Sequence, residues 1–187
     1  FLPYITTSVA LAIIFQLMFD WQNGIVNGVL NLFGIQSVYW LGKGWPTRIV
    51  VAVMEVWKNY GYAMIMYMAG LSTIPEELYE AARMDGASWL KSFRYITVPL
   101  LRPIFAFTIT TSMIGVLNLF DGPQLLFSGM NQPLGGPARS VLTMMVRFYE
   151  ASFLNFEFGY GSAIAYLFFL LVTVLSGLLV RLFREKD

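Results

Sequence analysis

Glu76, Glu77, Glu80, Arg83 and Asp85 crowd into the stretch Pro75-Glu-Glu-Leu-Tyr-Glu-Ala-Ala-Arg-Met-Asp-Gly-Ala87, a charged island between long apolar segments. The chemistry open to it is narrow. The sequence has no Cys and no His, so it offers no disulfide, thiol nucleophile, imidazole base or His/Cys metal site. Gly86-Ala-Ser-Trp-Leu-Lys91-Ser92 has the outline of a phosphate-binding loop, but that motif needs a glycine immediately before the lysine and Leu90 stands there. It also follows a helical pattern rather than a strand. The acids expected within the apolar segments, Glu55 and Asp121, belong to no recognised catalytic pattern. The chain is therefore expected to be non-catalytic and to bind no cofactor of its own, with any nucleotide hydrolysis left to a separate subunit. What a compact run of carboxylates with one guanidinium can still do is dock.

The island reads as a short helix. Pro75 has its φ preset for a first turn, Glu76 and Glu77 favour the positive end of the helix dipole, and Gly86 supplies a left-handed residue that stops the helix. About three turns, roughly 16 Å, result. Leu78, Ala81, Ala82 and Asp85 recur on one face, and the two alanines leave that face shallow enough for close approach by a partner. Trp89, Phe93 and Tyr95 then form an aromatic stretch that Val98-Pro99 is expected to break. On these residues alone, an amphipathic connector lying on the membrane surface and a docking element are equally good readings.

The elements that hold this helix have the composition of an integral membrane protein: 57% hydrophobic, 17% aromatic and only 12% charged, with positive mean hydropathy. A spanning helix needs roughly 20 mainly apolar residues. Four segments qualify, at residues 1–19, 49–71, 103–120 and 160–180, and the length of these runs excludes a strand barrel. An all-α, polytopic membrane protein is expected. The spans leave an outer loop at 20–48, the charged loop at 72–102, a second outer loop at 121–159 with an interfacial helix from about Ser140 to Phe153, and a tail at 181–187. Glu55 and Lys58 share a helical face and read as a structural pair or an outer-gate contact. Gly115 with Asn118 is expected to interrupt the third span, and the small-residue pairs Gly159/Ala163 and Gly161/Ala165 to pack closely against another helix.

The sequence opens at Phe1 inside an apolar run, without an initiator Met or the marks of a signal peptide, so further spans are expected upstream. Orientation follows from basic residues in short loops. Arg83, Lys91, Arg94, Arg102, Arg181, Arg184 and Lys186 fall on one side, and Lys43, Arg48, Arg139 and Arg147 on the other, with Lys58 uncounted. That bias puts the charged loop and the C-terminus in the cytoplasm.

Glu80-Ala81-Ala82, Asp85-Gly86-Ala87 and Ile96-x-Val98-Pro99 resemble the EAA loop of permease subunits in binding-protein-dependent ABC importers. The context is similar too: Trp57, Gly61, Ala69-Gly70-Leu71 and Ile74-Pro75 lead into the loop. Gly24-Ile-Val-Asn27, Gly34-Ile35 and Trp40-Leu41 lie upstream; Gly135-Gly136-Pro137 and Gly159-Tyr160-Gly161-Ser162-Ala163 lie downstream. The resemblance covers nearly the whole chain and rests on this ordered series more than on the EAA triplet. The run Phe93 to Pro103 and the Gly-Gly-Pro loop are most similar to the first permease type of the carbohydrate-uptake branch, the maltose and glycerol-3-phosphate kind.

That resemblance implies a MetI-like permease fold in a bacterial inner membrane, moving a sugar, oligosaccharide or glycerol phosphate. It implies two ATP-binding partner subunits that hold ATP and Mg, a second permease subunit in a heterodimer, and an extracytoplasmic solute-binding protein, with no nucleic-acid partner. Glu80, Ala81, Ala82, Asp85 and Gly86 would then sit in a cleft of the ATPase. Asn59, Tyr62, Asn118, Asp121 and Ser162 either line a path for a hydroxyl-rich solute or serve as contacts between helices and anchors at the interface. The competing class is an ion-coupled secondary transporter, which would use intramembrane acids and would not need the Pro75 loop.

Overall fold

The computed structural model describes residues 2–42, 44–130 and 132–183, and all regular structure among them is helical, with no strand. Phe1, Lys43 and the tail residues Arg184 and Lys186, which entered the span and charge arguments, lie outside the described residues.

The first expected span is two helices, not one. After α1 (Leu2–Ile5), Thr7 adopts an extended backbone with ψ 142°, and its hydroxyl accepts the Ala10 N–H at 3.3 Å, which caps α2 (Ser8–Met18). The following loop contains a helix the sequence pattern did not announce, α3 (Ile25–Leu32). α4 (Gly44–Ser72) begins at Gly44 rather than at residue 49, and its 29 residues make it about 43 Å long.

The helix after the charged island is the largest correction. Val98-Pro99 does not break it: α6 (Trp89–Leu100) runs on through a π turn at Phe93–Thr97 and through Pro99. In the π turn the Val98 N–H bonds the Phe93 carbonyl, so the ladder has slipped to five-residue spacing where the Pro99 ring arrives. The break falls at Leu101, where α6 meets α7 (Arg102–Leu117) at 63°. Pro103 causes it, because its ring collides with the carbonyl four residues back and it has no N–H to offer there. Gly115 lies inside α7 without interrupting it. Asn118 ends the helix, its N–H and its side-chain amide both donating to the Ile114 carbonyl.

α8 (Asp121–Leu126) turns back into the protein with Gly122, Pro123 and Leu126 buried. A 3-10 turn at Pro137–Arg139 leads to α9 (Met144–Tyr149), which continues as a π turn at Glu150–Leu154. The expected interfacial helix is therefore present, but Val146 and Ala151 are fully buried, so it is packed into the protein instead of lying on a lipid surface. α10 (Phe158–Phe183) is the one helix among the described residues that is both long and apolar enough to cross a membrane unaided; α6 and α7 qualify together as one bent span.

The core gathers at one end of the bundle, where Leu11, Phe15 and Phe19 of α2 and the turn after it meet Val50, Val51 and Met54 of α4, and Leu126 and Phe127 close over them. Polar side chains stitch the loops to this core. The Gln16 amide donates to the carbonyls of Leu126 at 2.8 Å and Ser128 at 3.3 Å, and the Thr143 hydroxyl donates to the Leu119 carbonyl at 2.6 Å. The hub of the first loop is Asn27, which is 2% exposed. Its amide donates to the carbonyls of Trp21 at 3.1 Å and Val38 at 3.0 Å, and its oxygen accepts from the Val38 N–H at 3.0 Å and the Trp40 indole at 2.9 Å. In the second loop, Gly135 and Gly136 both have positive φ, and a methyl on either would strike Leu142 or Phe127. Replacing Asn27 with Ala strips partners from several buried polar groups at once and is expected to cost about 3 kcal/mol. Thermal unfolding of the full-length protein in detergent checks this, and a midpoint within about 1 °C of the unaltered protein would refute the hub role.

Candidate functional site

The charged island folds as α5 (Glu76–Met84), nine residues and about 14 Å long, slightly shorter than the spacing suggested. Pro75 stands just before the helix with ψ 132°, not within its first turn, while Glu76 and Glu77 occupy that turn. At the other end Gly86 takes φ +72°. Its N–H bonds the Arg83 carbonyl at 3.0 Å and the Ala87 N–H bonds the Ala82 carbonyl at 2.9 Å, the paired closure of a Schellman motif.

No residue of α5 is buried. Glu80, Ala81, Asp85 and Gly86 are exposed, as are Leu78 and Met84, whereas Ala82 is half-buried beside Tyr79. Four of the five expected docking residues thus lie open on one surface, and the fifth turns partly inward. Its neighbour on that inward side makes the attachment: the Tyr79 hydroxyl lies 2.8 Å from Thr97 Oγ1. Thr97 is the single fully buried residue between Ser72 and Leu100. Neither residue carried a local signal, because a pair 18 residues apart leaves no periodic trace. Just beyond, Gly70 of α4 accepts Leu101 and Ile104 so closely that a methyl there would collide with both, and Tyr67 packs on Phe105 with ring centroids 5.2 Å apart.

The five path residues do not converge. Asn59 donates to the Glu55 carbonyl at 2.9 Å and to its carboxylate at 3.4 Å, and Asp121 stands within electrostatic range of the same carboxylate. Tyr62 stacks on Tyr4 at 5.4 Å. Asn118 borders an open cleft of about 230 Å³ with Met144, Phe148 and Phe168, and Ser162 is exposed on α10. Glu55 and Lys58 make no salt bridge among the described residues, although the ammonium charge still acts on the carboxylate. Lys58 donates to the Ser8 hydroxyl at 2.9 Å, while Gly122 lies directly against the Glu55 carboxylate and Asn59 holds it. Gly161 does sit in a close contact with another helix, against Ser152 in the π-helical continuation of α9, whereas Gly159 faces open space.

A further ionic cluster escaped the sequence pattern. Glu150 accepts from both Arg139 and Arg147, and the Arg147 guanidinium also lies 5.3 Å from the centroid of the Tyr160 ring. The Glu150 hydrogen bond, with a smaller contribution from Tyr160, raises the Arg147 pKa above its ordinary value.

The same arrangement of helices occurs in a crystal structure of a bacterial ABC transporter involved in the import of the acidic polysaccharide alginate. The match has a TM-score of 0.78 at 22% identity and covers 98% of this chain and 62% of that one. The fold is thus that of a helical ABC-transporter permease. The chain belongs to the family of binding-protein-dependent transport system inner membrane components, whose model matches residues 1–186. The lactose transport system permease protein LacF of Rhizobium radiobacter is 36% identical over 189 residues, covering 100% of this chain and 62% of its own length. The trehalose/maltose transport system permease protein MalF of Thermococcus litoralis is 32% identical over 171 residues, covering 91% of this chain and 56% of its own length. The chain thus spans somewhat over half the length of these curated relatives.

Gly70→Leu drives a branched side chain into Leu101 and Ile104 at the α4–α7 crossing. A loss of about 1–3 kcal/mol is expected, read as a lowered unfolding midpoint of the full-length protein in detergent. An unchanged midpoint would show that the two helices do not need this close approach.

Proposed function

We propose that this chain forms the membrane-spanning part of a permease subunit in an ATP-driven importer for a sugar, a related polyol or a glycerol phosphate, and that α5 is the element on which a partner ATPase docks. The observation that carries the reading is the state of α5: both ends are closed by their own backbone or dipole chemistry, yet none of its residues is buried. A helix this short is marginal in water by itself, so a surface held ready in this way supports a macromolecular partner. ATP and Mg belong to that partner, and Glu80, Ala81, Ala82, Asp85 and Gly86 meet it. A second permease subunit completes the pore, and an extracytoplasmic solute-binding protein delivers the cargo. The lactose and trehalose/maltose transport systems of LacF and MalF support a carbohydrate, and the alginate transporter solved together with a pentasaccharide-bound periplasmic protein supports the solute-binding partner.

The count of basic residues in the short loops supports the orientation with α5 in the cytoplasm. Arg139 and Arg147 share the single carboxylate of Glu150, which offsets one of their two charges, and Arg48 donates to the Ser140 carbonyl at 2.8 Å. Arg83, Lys91, Arg94, Arg102 and Arg181 on the α5 side outnumber Arg48, Arg139 and Arg147 on the other among the described residues. An ion-coupled transporter would leave α5 without a role.

In the assembled importer, Gly86→Val forces a β-branched residue into the left-handed region and distorts the end of the docking helix, so uptake per ATP is expected to fall roughly tenfold with membrane insertion intact. Unchanged coupled uptake would sink the assignment. The absence of cysteine makes topology directly measurable: a single cysteine at Gln132 should react with an impermeant maleimide from outside intact cells, and one at Glu77 only after permeabilisation. The reverse pattern would invert the orientation.

A further inference from the structure

The contact that holds α5 uses none of the residues assigned to docking. Extensive packing of α5 on another helix is absent among the described residues, and covalently it hangs between the turn at Thr73 to Pro75 and the turn at Asp85 to Ser88. Its one side-chain hydrogen bond to another element among the described residues is Tyr79 to Thr97, which reaches the buried end of the π turn in α6. Thr97 is 5% exposed, so water competes weakly for its hydroxyl. The Thr97 carbonyl accepts the Leu101 N–H at 3.0 Å, the last backbone bond before the chain bends by 63°.

We propose that Tyr79 and Thr97 are positioning residues that lock α5 to α6, so that the two helices move as one rigid bracket swinging on the bend at Leu101. The proposal rests on the importer reading above and names how the docking site acts on the spans. Without the tie, a push on α5 is absorbed by rotation about its two short turns. With it, the push travels along the twelve residues of α6, a lever of about 18 Å, and changes the angle at which α6 meets α7. Leu101 then transfers the motion to α4 through its contact at Gly70.

The test uses the full-length complex with both permeases, its ATPase subunits and its binding protein in proteoliposomes. Tyr79→Phe and Thr97→Val each remove one hydroxyl and little volume. Both are expected to retain bound ATPase subunits and basal hydrolysis while transport per ATP falls about fivefold, the factor for one hydrogen bond of ordinary net strength. Thr97→Ser keeps a hydroxyl and is expected to restore coupling, and the double variant to be no worse than either single one, since both remove the same contact. Full coupling in Tyr79→Phe, or a double-variant loss equal to the product of the two single losses, overturns the proposal. Spin labels at Glu77 and Leu90 in the permease without partners give an independent measure. A narrow distance distribution is expected to broaden in Tyr79→Phe, and an unchanged width also overturns the bracket. Should the ATPase subunits fail to co-purify with the unaltered permease, the importer reading falls, and the spin-label widths still decide the bracket.

Discussion

Pro103 sets the geometry on which the charged end of this protein depends. A proline inside a helix removes one ladder bond and pushes away the carbonyl one turn back, and here that carbonyl belongs to Pro99. The chain answers by bending 63° at Leu101. Were α6 and α7 one straight rod, Thr97 would continue the axis of the span and lie away from the end of α4. The bend turns α6 off the axis of α7, and an 18-residue separation closes between Tyr79 and Thr97 at 2.8 Å. Leu101, forced to the inside of the corner, is 5% exposed and fills the space that Gly70 leaves by having no side chain. One backbone constraint thus underlies both the tie that holds the short helix and the contact of the bend with α4.

Local chemistry made α5 legible and long-range chemistry did not. Glu76 and Glu77 at one end and Gly86 at the other are strong punctuation because each acts within a turn of its own position, and the helix bounds follow them closely. The bend was misplaced because two prolines compete for it and the sequence does not display the π turn that accommodates Pro99. The interruption at Thr6 and Thr7 was hidden by apolar composition, since a capping hydroxyl within an apolar run reads as an ordinary spanning residue. Tyr79, Thr97, Asn27 and Glu150 share a different obstacle. Their partners Thr97, Tyr79, Val38, Trp40 and Arg139 lie 11 to 18 residues away on other elements or turns, and only the fold brings them together.

The motifs that tie the chain to its family by resemblance acquire physical reasons in the loops. Asn27 occupies its place because four backbone and indole groups converge on one buried amide, a pattern that neither Asp nor Gln at that backbone position reproduces in full. Gly135 and Gly136 are required twice over, by positive φ and by the Leu142 and Phe127 side chains pressed against them. Gly161 makes room for Ser152. These residues build the loops at the core end of the bundle, and none of them reaches α5.

The two ends of the molecule consequently differ in stiffness. At the core end, a buried cluster spanning three helices is cross-linked by Asn27, Gln16, Arg48, Thr143 and the Arg139–Glu150–Arg147 group. At the other end, from Ser72 to Leu100, one residue is buried and one side-chain hydrogen bond joins the two elements. A displacement applied anywhere spreads into whichever contacts yield with least cost, and well-packed clusters resist deformation far more than sparsely contacted helices do. A push applied at α5 is therefore not dissipated in the core end, which moves as a block. It is concentrated at the bend between α6 and α7, where Pro103 has no N–H to offer the Pro99 carbonyl and the helical ladder is one bond weaker.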